Sequence, residues 1–197
     1  MRELRIARSE LILGGDAGGK LARAQALADA WLGQGAGHRV VYIATAQAWD
    51  ADMRDLVDRH RREGGERSRM VTVEEPTELA HALGTQSRAD TLIVVDCLTL
   101  WLTASLMQAL LPDESDAAQA QAHAPATRAP TLADAVRACA GPLVLVSHQL
   151  DAAALPARKD SEAFLETLGA LNQQAARACE RVTLMAGGDA LTLKEAE

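Results

Sequence analysis

A glycine-rich segment near the start of the chain has the spacing of a phosphate-binding loop. Gly14 and the pair Gly19-Lys20 fit the pattern G-x-x-x-x-G-K, and Gly15 and Gly18 lie between them. Glycines allow consecutive backbone N–H groups to surround phosphate oxygens, while the lysine brings a positive charge to the outer phosphates. These residues are therefore predicted to bind the phosphates of a nucleotide. The alternative is a glycine-rich turn with an exposed lysine.

Two residues of this segment depart from the motif. Leu21 stands where a Ser or Thr hydroxyl would bind Mg²⁺ beside the phosphates, and Asp16 adds a carboxylate within the loop. At about 5 Å from one phosphate charge, with an effective dielectric constant of about 20, the carboxylate costs about 3 kcal/mol. A lost hydrogen bond to a charged group adds about 1.5–3 kcal/mol. We therefore expect this loop, with Leu21 and Asp16, to bind the Mg-nucleotide more weakly than a loop that matches the motif.

A second acidic position directly follows the apolar segment 92–95. Asp96 ends that segment, and a carboxylate at the end of a buried strand is typical of the residue that holds Mg²⁺ in nucleotide-binding proteins. Asp is also a common N-cap, and a helical segment follows. The sequence leaves both interpretations open.

Short apolar segments alternate with segments of helical periodicity along most of the chain. Strands are predicted at 10–13, 40–44, 70–73, 92–95, 143–146, 182–185 and 191–193, and helices at 21–32, 49–62, from 76, after 96 to 106, at 132–139 and at 164–179. This alternation predicts an α/β fold with a mostly parallel sheet and helices on both faces. The turn signal Gly187-Gly188-Asp189 predicts a hairpin and an antiparallel strand at the C-terminal edge.

The length of the chain, 197 residues, fits one domain. Residues 112–130 are rich in Ala, Gln, Asp, Ser and Pro without periodicity, and are predicted to form a long surface loop. We therefore treat residues 1–197 as a single nucleotide-binding domain.

The composition argues against several classes of protein. The net charge of -7 argues against binding to nucleic acid. No apolar run reaches the roughly 18–20 residues of a membrane-spanning helix. The cysteines Cys97, Cys139 and Cys179 lie far apart, and no apolar signal segment begins the chain. We therefore expect a reducing compartment, the cytoplasm.

The order of short motifs along the chain resembles the adenosylcobinamide kinase/adenosylcobinamide-phosphate guanylyltransferase family. Outside the 112–130 loop the resemblance covers nearly the whole chain, and the order and spacing of the motifs are specific although each is weak alone. The motifs are Leu13-Gly14-Gly15 with Gly19-Lys20, Val41-Tyr42-Ile43-Ala44-Thr45-Ala46, Arg59-His60-Arg61, Thr72-Val73-Glu74-Glu75-Pro76, Val95-Asp96-Cys97-Leu98-Thr99-Leu100-Trp101-Leu102, Leu143-Val144-Leu145-Val146-Ser147, Leu171-Asn172-Gln173 and Leu191-Thr192-Leu193-Lys194.

The resemblance implies a RecA-like P-loop NTPase fold assembled as a homotrimer, and two transferase reactions. GTP or ATP, with Mg²⁺, would phosphorylate the aminopropanol hydroxyl of adenosylcobinamide. GTP would then transfer GMP to that phosphate through a GMP-histidine intermediate, releasing pyrophosphate.

His60 matches the position of the nucleophilic histidine in this family. Neutral imidazole is a good nucleophile near neutral pH, and Arg61 and Arg62 beside it would stabilise charge on the α-phosphate. Helical spacing alone places His60 on the face of Leu56 and Val57, which favours a packed histidine. The resemblance favours the nucleophile.

Further positions match those that bind the guanine nucleotide in the family. They are Thr45, Arg61, Arg62, Glu74 and Asp96.

The chain departs from the family pattern mainly near the predicted site. Ala17, Gly18 and Leu21 replace an Arg and two Ser of the usual loop, and His148 follows Ser147 where the family has Asn. Three hypotheses remain: the bifunctional transferase, a nucleotide-site relic that acts as a binding or partner protein, and an unrelated phosphate-loop protein with another acceptor.

Overall fold

The computed structural model describes residues 4–15, 19–45, 69–110, 131–150 and 159–196. These residues form one seven-stranded sheet with helices packed on it. The strands are β1 (Ser9–Gly14), β2 (Arg39–Ala44), β3 (Met70–Glu74), β4 (Thr91–Asp96), β5 (Leu143–Val146), β6 (Arg181–Ala186) and β7 (Asp189–Glu195). The helices are α1 (Lys20–Gly33), α2 (Leu79–Gln86), α3 (Leu98–Leu110), α4 (Leu132–Ala138) and α5 (Lys159–Ala178).

The order of strands in the sheet is β3-β2-β4-β5-β1-β6-β7. Strands β1 to β6 are parallel, and β7 runs antiparallel to β6. The predicted α/β fold, with its mostly parallel sheet and antiparallel C-terminal edge strand, is confirmed. The C-terminal ends of β4, β5 and β1 lie side by side, and this is the edge at which open parallel sheets bind ligands.

The sheet is covered on both faces, as predicted. Successive residues of β1 point to opposite faces, so Leu11 and Ile12 belong to different core clusters, and both are fully buried. Helix α1 packs Ala24 and Leu27 on the face of Ile12, whereas α5 packs Leu168 on the face of Leu11. Burial on both faces explains why the central strands are continuous apolar runs.

The predicted element boundaries differ from the structure by a few residues. The helix expected from Pro76 begins at Leu79. Helix α4 begins at Leu132 because Thr131 and Asp134 form a capping box. The predicted helix at 49–62 and the predicted loop at 112–130 lie outside the described residues. In the described ranges, none of the helices has the length and apolar character required to cross a membrane.

A buried ionic cluster fixes β1 against its neighbours. Glu10, 1% exposed, accepts hydrogen bonds from Arg23 Nε of α1 at 2.6 Å and from Thr183 Oγ1 of β6 at 2.7 Å. Arg181 Nη1 lies 3.3 Å from its other carboxylate oxygen. Arg181 also donates to Glu195 of β7 at 2.6 Å. Because these partners come from α1, β6 and β7, the cluster holds β1 against α1 and against the C-terminal edge of the sheet.

Candidate active site

The glycine segment lies between the end of β1 and the start of α1. At Gly14 an added Cβ would lie 2.7 Å from the backbone oxygen of Met185, so the approach of β6 requires glycine there. Gly19 has a φ of 83°, a left-handed conformation directly before the helix that favours glycine. A strand, a glycine turn and a helix N-terminus are the arrangement that binds phosphate through backbone N–H groups.

Lys20 is the first residue of α1 and is buried to 5% exposure. Its Nζ donates a hydrogen bond to the backbone oxygen of Gly15, so the side chain turns back over the loop. The alternative, a glycine-rich turn with an exposed lysine, therefore does not describe this segment. A buried ammonium group is costly unless oxygen atoms surround it, and phosphate oxygens are such partners.

The remaining loop positions are only partly described. Leu21 is half-buried in the first turn of α1 and brings an apolar side chain to the position of the missing hydroxyl. Asp16 and Gly18 lie outside the described residues. Convergence of the loop N–H groups on a phosphate therefore stays a prediction.

Asp96 is the last residue of β4 and is half-buried. Helix α3 begins at Leu98, which puts its N-cap position at Cys97 rather than at Asp96. Binding of a metal ion by Asp96 stays a prediction. In the sheet, Asp96 pairs with Val146 of β5, and β5 pairs with β1. Because Val146 also pairs with Ile12, two strand spacings, about 10 Å, separate Asp96 from Ile12, which lies two residues before Gly14.

Thr45 follows β2 and is fully buried, with 0% exposure. Its hydroxyl donates to the backbone oxygen of Cys97 at 2.7 Å and accepts from the Cys97 N–H at 2.8 Å. The Thr45 N–H donates to the backbone oxygen of Asp96 at 3.1 Å. The hydroxyl therefore joins the ends of β2 and β4 and holds the backbone that carries Asp96. Contact of Thr45 with a nucleotide stays a prediction.

The structure brings most of the described predicted residues to one edge of the sheet. Glu74 ends β3 opposite Ala44 of β2, and its side chain is exposed. Gly14, Lys20, Thr45, Glu74 and Asp96 therefore share the C-terminal edge. His60, Arg61 and Arg62 lie outside the described residues.

A hydrogen-bonded cluster beside the loop was not predicted as part of the site. Ser147 Oγ donates to Asn172 Oδ1 at 2.7 Å, and Asn172 Nδ2 donates to the His148 backbone oxygen at 3.1 Å. The His148 N–H donates to Thr99 Oγ1 at 3.0 Å. The signal for this cluster was present, since the polar pair Ser147-His148 directly follows a buried strand.

This cluster is attached to the glycine segment through the backbone. The Ser147 N–H donates to the Ile12 oxygen at 2.9 Å, and the Gln149 N–H donates to the Gly14 oxygen at 3.0 Å. The residues after β5 therefore border the predicted phosphate site.

Cys97 is not a nucleophile at this edge. Its thiol is 1% exposed, and burial, followed by the neighbouring Asp96 charge, raises its pKa to about 11. Its Sγ lies 3.7 Å from His148 Nδ1. At neutral pH the thiol stays protonated and unreactive. Burial, and after it the charges of Asp29 and Asp96, also raises the pKa of Tyr42.

Comparisons with known proteins agree with this arrangement. A family model described as CobU, cobinamide kinase / cobinamide phosphate guanyltransferase, matches residues 10–193. The chain is 35% identical over 185 residues to the bifunctional adenosylcobalamin biosynthesis protein CobP of Pseudomonas aeruginosa, covering 94% of this chain and 96% of that protein. It is 29% identical over 187 residues to the bifunctional adenosylcobalamin biosynthesis protein CobU of Escherichia coli, covering 93% and 98%.

A solved structure with a similar fold is the flagellar accessory protein FlaH from Methanocaldococcus jannaschii. The TM-score is 0.51 at 12% sequence identity, covering 97% of this chain and 80% of that one. At this identity the similarity shows the fold alone, and it agrees with the predicted α/β fold with a mostly parallel sheet.

Proposed function

Because the chain belongs to the cobinamide kinase/cobinamide phosphate guanyltransferase family, we propose that it is a bifunctional transferase of cobalamin biosynthesis. It phosphorylates adenosylcobinamide with a nucleoside triphosphate and then transfers GMP from GTP to adenosylcobinamide phosphate. The observation that carries this proposal is the glycine segment with buried Lys20 at the edge of the sheet that also carries Asp96.

In the kinase step the substrate hydroxyl attacks the γ-phosphorus of GTP or ATP. The bond to the β-phosphate oxygen breaks, the nucleoside diphosphate leaves and the hydroxyl proton is lost. Lys20 and the N-terminus of α1 balance the negative charge on the phosphates. Mg²⁺ is commonly held by one or two carboxylates together with phosphate oxygens, and Asp96 would supply such a carboxylate.

In the guanylyl transfer the imidazole of His60 attacks the α-phosphorus of GTP, and pyrophosphate leaves. A phosphate oxygen of adenosylcobinamide phosphate then attacks the GMP-histidine phosphorus and restores the free imidazole. We assign Arg61 and Arg62 to stabilising the negative charge of the phosphates. We assign Thr45 and Glu74 to binding the guanine nucleotide. These roles rest on the family resemblance of the motifs.

We also propose that the subunits form a homotrimer in the cytoplasm. Leu191 and Leu193 of the edge strand β7 are 52% and 59% exposed, and exposed apolar edge strands favour association. All three cysteines are free thiols, which is typical of a reducing compartment. Light scattering at micromolar concentration tests the assembly, and a monomer would contradict it.

Incubation with α-labelled GTP and Mg²⁺ tests the transferase. Wild type is expected to retain an acid-labile, base-stable label on the protein, as a phosphoramidate would be, and His60→Ala is expected to lose it. The matched control is His81→Ala, because His81 is exposed on α2 and lies on the described surface. A label that persists in His60→Ala assigns the nucleophile elsewhere. If wild type retains no label at saturating GTP, the result favours the hypothesis of a nucleotide-site relic over that of the transferase.

A γ-labelled donor separates the kinase step from guanylyl transfer. Wild type is expected to pass the label to adenosylcobinamide, and Lys20→Ala is expected to lose this transfer because the phosphate chain loses its buried cation. If Lys20→Ala phosphorylates at the wild-type rate, the glycine segment is not the donor site.

A further inference from the structure

A cavity lies at the edge of the sheet opposite to the candidate active site. Its volume is about 240 Å³, and it is bordered by the N-terminal ends of β2, β3 and β4 and by the residues after α2. Along β2, Arg39 borders this cavity, whereas Thr45 lies six positions further at the other edge. At about 3.3 Å per residue, about 20 Å separates the two places. The cavity is therefore distinct from the glycine segment.

The lining of the cavity is basic although the chain is acidic. The lining contains three arginines, Arg39, Arg69 and Arg88, and one carboxylate, Asp90. It therefore carries three positive charges and one negative charge, in a chain of net charge -7. The Asp90 Oδ1 already accepts a hydrogen bond from Thr91 Oγ1 at 2.9 Å. Among the described residues, none of the three guanidinium groups forms an ion pair. Their charges are therefore not balanced by this part of the chain.

Arg69 is held in place by contacts that do not neutralise it. Its Nη1 donates to the backbone oxygens of Leu32 at 3.2 Å and Gly35 at 2.8 Å, and the residue is half-buried. Carbonyl oxygens fix the position of the guanidinium group but leave its full charge. A fixed cation loses little freedom when an anion binds, which makes binding tighter.

The chemistry of the lining selects the class of ligand. Guanidinium groups bind phosphate oxygens through paired N–H donors, and several of them together match an anion with several charged oxygens. The volume of about 240 Å³ is smaller than the roughly 300–1,000 Å³ of pockets that hold drug-sized ligands. This favours a compact inorganic anion over a whole nucleotide.

We propose that this cavity is a second anion site that binds inorganic pyrophosphate in preference to phosphate. Three arginines can pair with the oxygens of both phosphoryl groups, whereas phosphate engages fewer of them. The inference does not depend on the proposed reactions, because it rests on the cavity, its charge and its distance from the glycine segment.

Titration calorimetry without Mg²⁺, in the Lys20→Ala background, tests this site without the glycine segment contributing. Pyrophosphate is expected to bind with saturation at one site per chain and more tightly than phosphate. Arg39→Gln and Arg88→Gln are each expected to weaken pyrophosphate binding about tenfold, the scale of one lost hydrogen bond to a charged group. Both side chains are exposed and make no hydrogen bond within the described residues, so these variants should fold.

The matched control is Arg177→Gln, which removes an exposed arginine on α5 outside the lining. Its affinity for pyrophosphate is expected to stay within about twofold of the parent, because Arg177 does not line the cavity and salt screens exposed charges. Three results would each overturn the proposal: no saturable binding, equal weakening in Arg177→Gln, or unchanged affinity in both cavity variants. Phosphate that binds as tightly as pyrophosphate would overturn the preference.

Discussion

The start of β1 and the end of β4 are held in place by different kinds of interaction. Near the start of β1, four residues before Gly14, the buried carboxylate of Glu10 contacts Arg23 and Arg181, so charge pairing fixes β1 against α1 and β6. Beside Asp96, uncharged groups such as Thr45 and Ser147 form the contacts. A separated buried ion pair costs about 3–5 kcal/mol, whereas a neutral hydrogen bond contributes about 1 kcal/mol. A few strong contacts fix the start of β1, whereas weaker neutral hydrogen bonds fix the end of β4.

The largest effect is expected from Glu10→Gln, which keeps the shape of the side chain but removes its charge. Arg181 would be left buried without full compensation, and we expect unfolding free energy to fall by about 3–5 kcal/mol. Urea denaturation measures this, with Glu162→Gln as the control because Glu162 is exposed on α5. If Glu10→Gln and Glu162→Gln lower the unfolding free energy by the same small amount, the ionic cluster does not anchor β1.

A gain of nucleotide affinity is expected from Leu21→Ser, which restores the hydroxyl at the start of α1. One hydrogen bond to a charged group corresponds to about 1–3 kcal/mol of binding free energy. Titration calorimetry with Mg-GTP measures it, and a parallel titration without Mg²⁺ is expected to show little gain. Equal affinity of both forms with Mg²⁺ would mean that the missing hydroxyl does not limit binding.

A smaller effect is expected from Ser147→Ala in the neutral cluster. It removes the hydrogen bond to Asn172, and we expect about 1 kcal/mol less unfolding free energy. Ser105→Ala is the control, because Ser105 only bonds the backbone oxygen of Trp101 within its own helix. A loss near that of Glu10→Gln would remove the distinction between the two strand ends.

The smallest effect concerns the outer member of the ionic cluster. The hydrogen bond from Arg181, and then its charge, lowers the pKa of Glu195 from its ordinary 4.5. A lowered folded-state pKa contributes stability above the unfolded value, and this is lost as the pH falls through the folded one. Glu195→Gln is therefore expected to be slightly less stable than wild type at pH 7, with the difference vanishing in acid. Thermal melts at both pH values measure this, and a difference independent of pH would contradict it.

Local patterns were enough to predict most of the fold. The apolar run that includes Leu11 and Ile12, followed by glycines and Lys20, placed β1 and α1 because strand, turn and helix signals are all local. The pairing of Glu10 with Arg181 could not be predicted, since it joins residues 171 positions apart. The polar cluster at Ser147 was missed for a similar reason: its partners Thr99 and Asn172 come from α3 and α5.

Part of the candidate site was predicted from the end of a strand and part from the family resemblance. Asp96 was expected at the end of a buried strand and does end β4, whereas Thr45 was named only through the resemblance. The burial of the Thr45 hydroxyl against Cys97 depends on how β2 and β4 end together. The burial of Lys20 likewise follows from the loop backbone turning towards its side chain. Such features arise from tertiary contacts that no short pattern encodes.

The packing of the fold requires glycine at position 14, so a glycine at this position in a relative does not show that the relative binds a nucleotide. A side chain there would collide with the backbone of Met185 whether or not a nucleotide is ever bound. Selection for folding alone would therefore preserve Gly14 even in a descendant that had lost its chemistry. At Gly15 an added Cβ would meet no described residue within 4 Å. Among relatives of this chain, retention of Gly15 is thus the more informative sign that the phosphate site is still in use.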